Sequence, residues 1–244
     1  MWGTLCVPRT GCLSDRRGWL CRRGTDASAT ADVMPPTSQI PVGSQFSPTL
    51  IDLPALTAVL VSHSGDRESL LEAVNTAPVR LGDRTPETRR NRSLPLEAAV
   101  QYGLLAPTSW TVTDFGRSLS ELPHDEQFRA FARHILLNLG GLRVVQGTEE
   151  MIAEGAKITG DTLARHLTSQ GFFVAEHNTA INTLRMWLAR AGVFPLSGKG
   201  GAAWTPDRRA IESLIGLDKE GMEALAAFRD EQKAFCQSAR ITGQ

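Results

Sequence analysis

Asn178-Thr-Ala-Ile-Asn-Thr-Leu-Arg-Met-Trp-Leu-Ala-Arg-Ala-Gly-Val-Phe194, followed by Pro195-Leu-Ser-Gly-Lys-Gly-Gly-Ala-Ala-Trp204, is the stretch whose reading decides the fold. Asn178 is a good N-cap, Ile181, Leu184, Leu188 and Ala191 recur at helical spacing, and Gly192 offers the left-handed residue that ends a helix. Two short apolar runs then flank Ser197 to Gly201, a turn able to close a hairpin with Lys199 at its tip. Upstream, Ile158-Thr-Gly-Asp-Thr-Leu-Ala-Arg-His-Leu167 predicts a shorter helix capped by Thr159 or Asp161. Helix, turn, helix and hairpin therefore follow one another.

This order resembles the winged-helix superfamily of DNA-binding domains. A second segment bears a related resemblance: Leu96-Glu-Ala-Ala-Val-Gln-Tyr-Gly-Leu-Leu105, Trp110-Thr-Val-Thr113 and Asp114-Phe-Gly-Arg-Ser-Leu119. It is similar to the tail of a winged helix in many bacterial regulators, where a recognition helix ends in Gly-Leu-Leu, a hairpin carries an aromatic, and Thr-x-x-Gly starts the next helix. That similarity covers about residues 52–122. Asp52 caps a helix from Leu53 to Val61, with Pro54 in the first turn, and Asp66 caps another through Leu70, Leu71 and Val74. Pro95 departs from the pattern, because proline breaks a helix running on from Thr85. The sequence thus predicts a helix starting near Pro95 with Arg89 to Arg92 in a loop before it.

Between these segments, Phe128, Phe131, Ala132, Ile135, Leu136 and Leu139 form one stripe of a helix from Asp125 to Leu139, with Gly140-Gly141 as its stop. A helix of about Leu142 to Glu154 follows. Thr205 and Pro206 read as the start of a further helix, and Lys219 to Arg240 as a final amphipathic one, within a segment, 211–244, that bears more acid than base. The expected fold class is mainly α with short β-hairpin wings, as tandem winged-helix modules: a disordered leader at 1–48, modules at 49–122 and 123–216, and a C-terminal helix at 217–244. The leader's five early arginines, scattered Cys and Trp, and later Ala/Ser/Thr/Pro/Gly composition show no period that could build a core. An organelle transit peptide, a true start at Met34 and a phosphate-gripping arm are alternative readings of it.

Formal net charge is zero over 244 residues, so no global positive field draws the chain to nucleic acid and any contact must be local. The stretch from Arg80 to Arg92 carries five arginines against Asp83 and Glu87. Cys6, Cys12, Cys21 and Cys236 form neither a disulfide framework nor a paired zinc spacing, and the histidines lack metal-ligand neighbours. No metal or cofactor is expected. No apolar run is long enough for a membrane span or a secretory signal, which predicts a cytoplasmic protein with no membrane partner. No nucleophile elbow, phosphate loop, zincin motif or nuclease carboxylate set occurs, and Ser197-Gly-Lys-Gly-Gly201 lacks the strand-to-helix context of a phosphate cradle.

The resemblance implies non-catalytic binding of double-stranded DNA. Asn182, Thr183 and Arg185 would read the groove, Arg190 and Lys199 would hold phosphates, and Arg89, Arg90 and Arg92 would form a second phosphate contact. A bacterial regulator or the DNA-recognising subunit of a phage-defence or chromosome-maintenance assembly fits this reading. The alternative is a winged-helix adaptor that clasps a partner protein, as in SMC-type or defence complexes. The acidic terminal helix favours that class, through self-association or docking.

Overall fold

The computed structural model describes residues 38–41, 46–81, 89–175, 178–197 and 201–242, with side chains defined outside 89–91, 178, 232 and 235–242. Short polar side chains set most of the helix starts. Asp52 accepts from Ala55 N at 3.2 Å and opens α1 (Leu53–Ser62), where Pro54 sits in the first turn and removes no helical hydrogen bond. Asp66 accepts from Ser69 N at 2.8 Å and opens α2 (Arg67–Thr76). Thr159 and Thr162 form a reciprocal capping box at the start of α7 (Gly160–Ser169). Asp207 caps α9 (Arg208–Ile215), two residues beyond the expected Thr205, because its carboxylate reaches Arg209 N at 2.9 Å and Ala210 N at 3.3 Å.

The Gly-Leu-Leu and Thr-x-x-Gly segments have a joint physical explanation. After α3 (Arg89–Gln101), Gly103 adopts φ 73° and turns the chain, so that Leu104 and Leu105 enter the core. Thr113 donates its hydroxyl to Gly103 O at 2.6 Å and accepts from Gly116 N at 3.0 Å, fastening α4 (Asp114–Ser120) to that turn. A Cβ on Gly116 would lie 2.6 Å from Leu104 O, so glycine alone permits this approach. α1 packs on α4 and α2, and α2 packs on α3.

α5 (His124–Asn138), the helix expected from Asp125 onward, starts one residue earlier after Pro123, so that Asp125 lies within its first turn. α6 (Gly141–Ala153) begins after Gly140, whose φ of 74° would strain any other residue and whose missing side chain admits Phe172. α5 packs on α1, α4, α6, α8 (Asn178–Arg190) and α9, while α7 lies between α6 and α8. The last helix, α10 (Lys219–Thr242), rests on α9 and α6.

One hydrophobic cluster runs through all of this, from Ile40 to Phe228. Its centre is Trp187 of α8, 1 % exposed, whose Nε1 donates to Phe46 O at 2.6 Å. The ring of Phe131 meets it edge-on at 5.1 Å, and Phe46 stacks at 4.7 Å on Tyr102. Phe46 therefore joins α8 to the turn after α3. Ile40 and Phe46, which composition assigns to the leader, are core residues, and Gln39 N donates to Phe173 O at 2.9 Å. Residues 36–244 form one contact-dense unit.

The β-hairpin wings do not form. No strand occurs among the described residues, only the isolated antiparallel bridges Ile51–Arg80, Leu105–Val112 and Leu196–Ala202. In the first hairpin position Pro107 supplies no N–H and Trp110 N turns back onto Ala106 O at 3.1 Å, so the ladder stops after one bridge. In the second, Ser197 N meets Gly201 O at 2.6 Å and Ala203 N meets Pro195 O at 2.7 Å, and Pro195 has no N–H to extend the pairing. The chain is mainly α in fold class. A further correction concerns α3, which begins at Arg89 and carries Pro95 inside it, so Arg89, Arg90 and Arg92 occupy its first turn rather than a loop.

Candidate nucleic-acid interface

The expected reading helix is packed on most of its circumference. α5 and α7 lie against α8, and Ala180, Ile181, Thr183, Leu184, Arg185, Trp187, Leu188 and Ala189 are all buried. What remains open is a narrow line: Thr179 and Arg190 are exposed, and Asn182 and Met186 are half-buried. These four share one edge at spacings of three and four. Thr183 at 4 % exposure and Arg185 at 9 %, expected as groove readers, lie beneath their neighbours and not on that edge. The cause lies far away in sequence, in Phe46 and α5, which draw the Trp187 face inward and bring its flanks with it.

Arg185 lies with Cζ 3.6 Å from the Trp204 ring centroid, and its Nη2 donates to Asn182 Oδ1 at 3.2 Å. Burial lowers its pKa from the ordinary arginine value. Arg190 projects its guanidinium 6.0 Å above the Phe128 ring and stays exposed. Lys199 lies outside the described residues. Of the other cations near this region, Arg208 is tied to Glu149 at 2.7 Å, while Lys157 and Arg165 are exposed on the α7 side.

The second expected contact stands differently. Arg92 is exposed on the first turn of α3, and Arg89 and Arg90 share that turn, their side chains outside the described set. The first N–H groups of a helix have no intrahelical acceptor, and their aligned dipoles favour an anion in front of them. Asn75 fixes this end of α3 against α2 by donating to Leu71 O at 2.6 Å and to Arg92 O at 3.3 Å. Half-buried Arg80 reaches Asn75 Oδ1 at 3.5 Å, and burial lowers its pKa. Sequence reasoning included Arg80 in the basic stretch without giving it a role. The signal for it was the Ile51–Arg80 bridge, which no local pattern announces.

Trp110, the aromatic expected on the first wing, holds φ 55°, an unusual backbone for a bulky side chain. Its carbonyl accepts from Gly65 N at 3.0 Å, and Arg67 lies 5.2 Å over its ring. Elsewhere, buried Glu150 of α6 accepts from His166 Nε2 at 2.9 Å and from Gln170 Nε2 at 2.8 Å, with Arg143 at 3.8 Å, which locks α6 to α7. An open groove of about 500 Å³ runs along the other side of α7, between Asp161, Arg165, Thr168, Ser169 and Phe173. Among the described residues no three His, Cys, Asp or Glu side chains are grouped to hold a metal, and no helix is long and apolar enough to cross a membrane.

No protein-family model, curated protein or solved structure matches the chain.

Proposed function

We propose that this chain binds double-stranded DNA without catalysis, with the first turn of α3 as its principal contact. The observation that carries the reading is the placement of Arg89, Arg90 and Arg92 at the positive end of a helix that α2 braces through Asn75, with Arg92 exposed to solvent. A helix so held presents its cations and the positive end of its dipole to phosphate without ordering a loop on binding. The exposed edge of α8, through Asn182 and Arg190, is a subsidiary contact. Such a protein serves as a regulator or as the DNA-recognising part of a larger assembly.

The test is fluorescence anisotropy of a labelled random duplex with the full chain and with the triple variant Arg89→Ala, Arg90→Ala, Arg92→Ala. The triple variant weakens binding at least tenfold, while Arg190→Ala weakens it several-fold at most. Unchanged affinity in the triple variant would remove α3 from the interface.

A protein-interaction role is the second reading, and a specific observation favours it. Leu217 is 74 % exposed and Met222 53 % exposed around the start of α10, large apolar side chains in a region richer in acid than base. Absence of duplex binding at low salt together with co-purification of a partner that Leu217→Ser, Met222→Ser abolishes would select this reading.

A further inference from the structure

Arg185 has a chemistry that DNA contact through α3 leaves unused. Its Nε and Nη1 are buried and have no hydrogen-bond partner among the described residues, and no carboxylate there forms an ion pair with it. A guanidinium is never deprotonated under physiological conditions, so this is a cation withdrawn from water with, among the described residues, an aromatic face and one amide oxygen for company. Stacking on an indole stabilises such a cation but satisfies none of its in-plane N–H groups. Each buried N–H left without an acceptor is unfavourable, more so on a charged group. Among the described residues its environment lacks one thing, an in-plane oxygen acceptor carrying negative charge.

The neighbours suit that occupant. Asn182, one turn earlier on α8, accepts at Oδ1 from Arg185 Nη2 and so keeps its Nδ2 hydrogens as donors. It is half-buried and lies on the open edge of α8 beside Thr179 and Met186, which makes that edge the way in. Trp204 holds the guanidinium in place, with Cζ 3.6 Å from its ring centroid, and the planar fork of N–H groups matches carboxylate or phosphate.

We propose that Arg185, stacked on Trp204 and flanked by Asn182, is the centre of a binding site for a small oxyanion, phosphate or carboxylate, whose oxygens accept from Nε and Nη1. Binding neutralises the buried charge and satisfies its N–H groups at once. The site shares only Asn182 with the subsidiary edge of α8 and is separate from the principal α3 contact, so either of these two can fail without the other.

The experiment is thermal unfolding of the full chain titrated with inorganic phosphate or, in a parallel series, with acetate, at ionic strength held constant with sodium chloride. A ligand that binds only the folded state raises Tm with its concentration, by roughly 5–11 °C once it stands about a hundredfold above its Kd. Wild type and Arg92→Ala show this rise; Arg185→Gln does not. A rise with phosphate alone assigns a phosphate-type ligand, and a rise with acetate alone a carboxylate. Should Arg185→Gln fail to fold, Asn182→Ala keeps the guanidinium and loses the entry donor, and it raises the half-saturating concentration about tenfold. No rise with either anion in wild type, an equal rise in Arg185→Gln, or an unchanged half-saturation in Asn182→Ala would overturn the assignment.

Discussion

Replacing Trp187 by phenylalanine tests whether α8 is the middle of one core or the exposed helix that its sequence suggests. The indole donates to Phe46 O at 2.6 Å, and both residues are almost wholly buried. Phenylalanine leaves that carbonyl without a donor in a dry interior, a loss of about 1–3 kcal/mol. The smaller ring also leaves a void among Phe46, Phe128 and Phe131, worth about 1 kcal/mol if a few tens of cubic ångströms stay unfilled. Together they destabilise the fold by about 3 kcal/mol, which for a chain of this size lowers Tm by roughly 6–12 °C. Urea unfolding followed by far-UV circular dichroism measures it as a lower midpoint at unchanged slope. Because Phe46 links α8 to Tyr102, wild type and variant each unfold in one transition. A loss under about 1 kcal/mol, or a variant in which one part melts while the other holds, would refute the shared core.

Other substitutions probe the pieces separately. Gly116→Ala, normally favourable inside a helix, here sets a Cβ 2.6 Å from Leu104 O and destabilises by about 2 kcal/mol; a raised Tm would contradict the close approach. His134 donates Nε2–H to Tyr102 O at 3.1 Å, accepts from Asn138 Nδ2 at 3.1 Å and stacks on Phe115, and burial lowers its pKa more than the Tyr102 bond raises it. The unfolded chain then binds more protons than the native one, so the stability that neutral His134 contributes is complete above about pH 6.5 and lost as pH falls below it. Urea midpoints of wild type should fall more steeply from pH 7 to 5 than those of His134→Gln, and parallel curves would remove His134 from the account.

What the sequence made legible was local. Asp52, Asp66 and Thr159 cap helices as their positions predicted, since a cap depends on three or four consecutive residues. The stripe of α5 and the left-handed Gly192 were equally plain. The surroundings of α8 were not, because Thr183 and Arg185 are enclosed by elements distant in the chain, and a polar residue carries no local mark of what will cover it. The hairpins were overread from turn composition, which reports where a chain reverses but not whether Pro107 or Pro195 leaves donors enough for a ladder. Pro95 was overread in the opposite direction. Tertiary packing of α3 on α2 holds a helix through a proline that propensity alone would make its boundary.

The candidate site divides along the same line. That Arg89, Arg90 and Arg92 form a basic cluster follows from composition, whereas their place on a helical turn needed the fold. The stacking of Arg185 on Trp204 spans a turn between two elements and had no sequence signal at all.

The most direct test of the DNA-binding claim is the salt dependence of duplex affinity for the full chain and for the Arg89→Ala, Arg90→Ala, Arg92→Ala variant. Each phosphate neutralised contributes about −0.9 to the slope of log K against log salt, so removing three contacts makes the slope less steep by roughly 2.7. A steep slope in wild type that relaxes by that amount in the variant is the predicted result. Equal slopes, or no binding by wild type even at low salt, would contradict it.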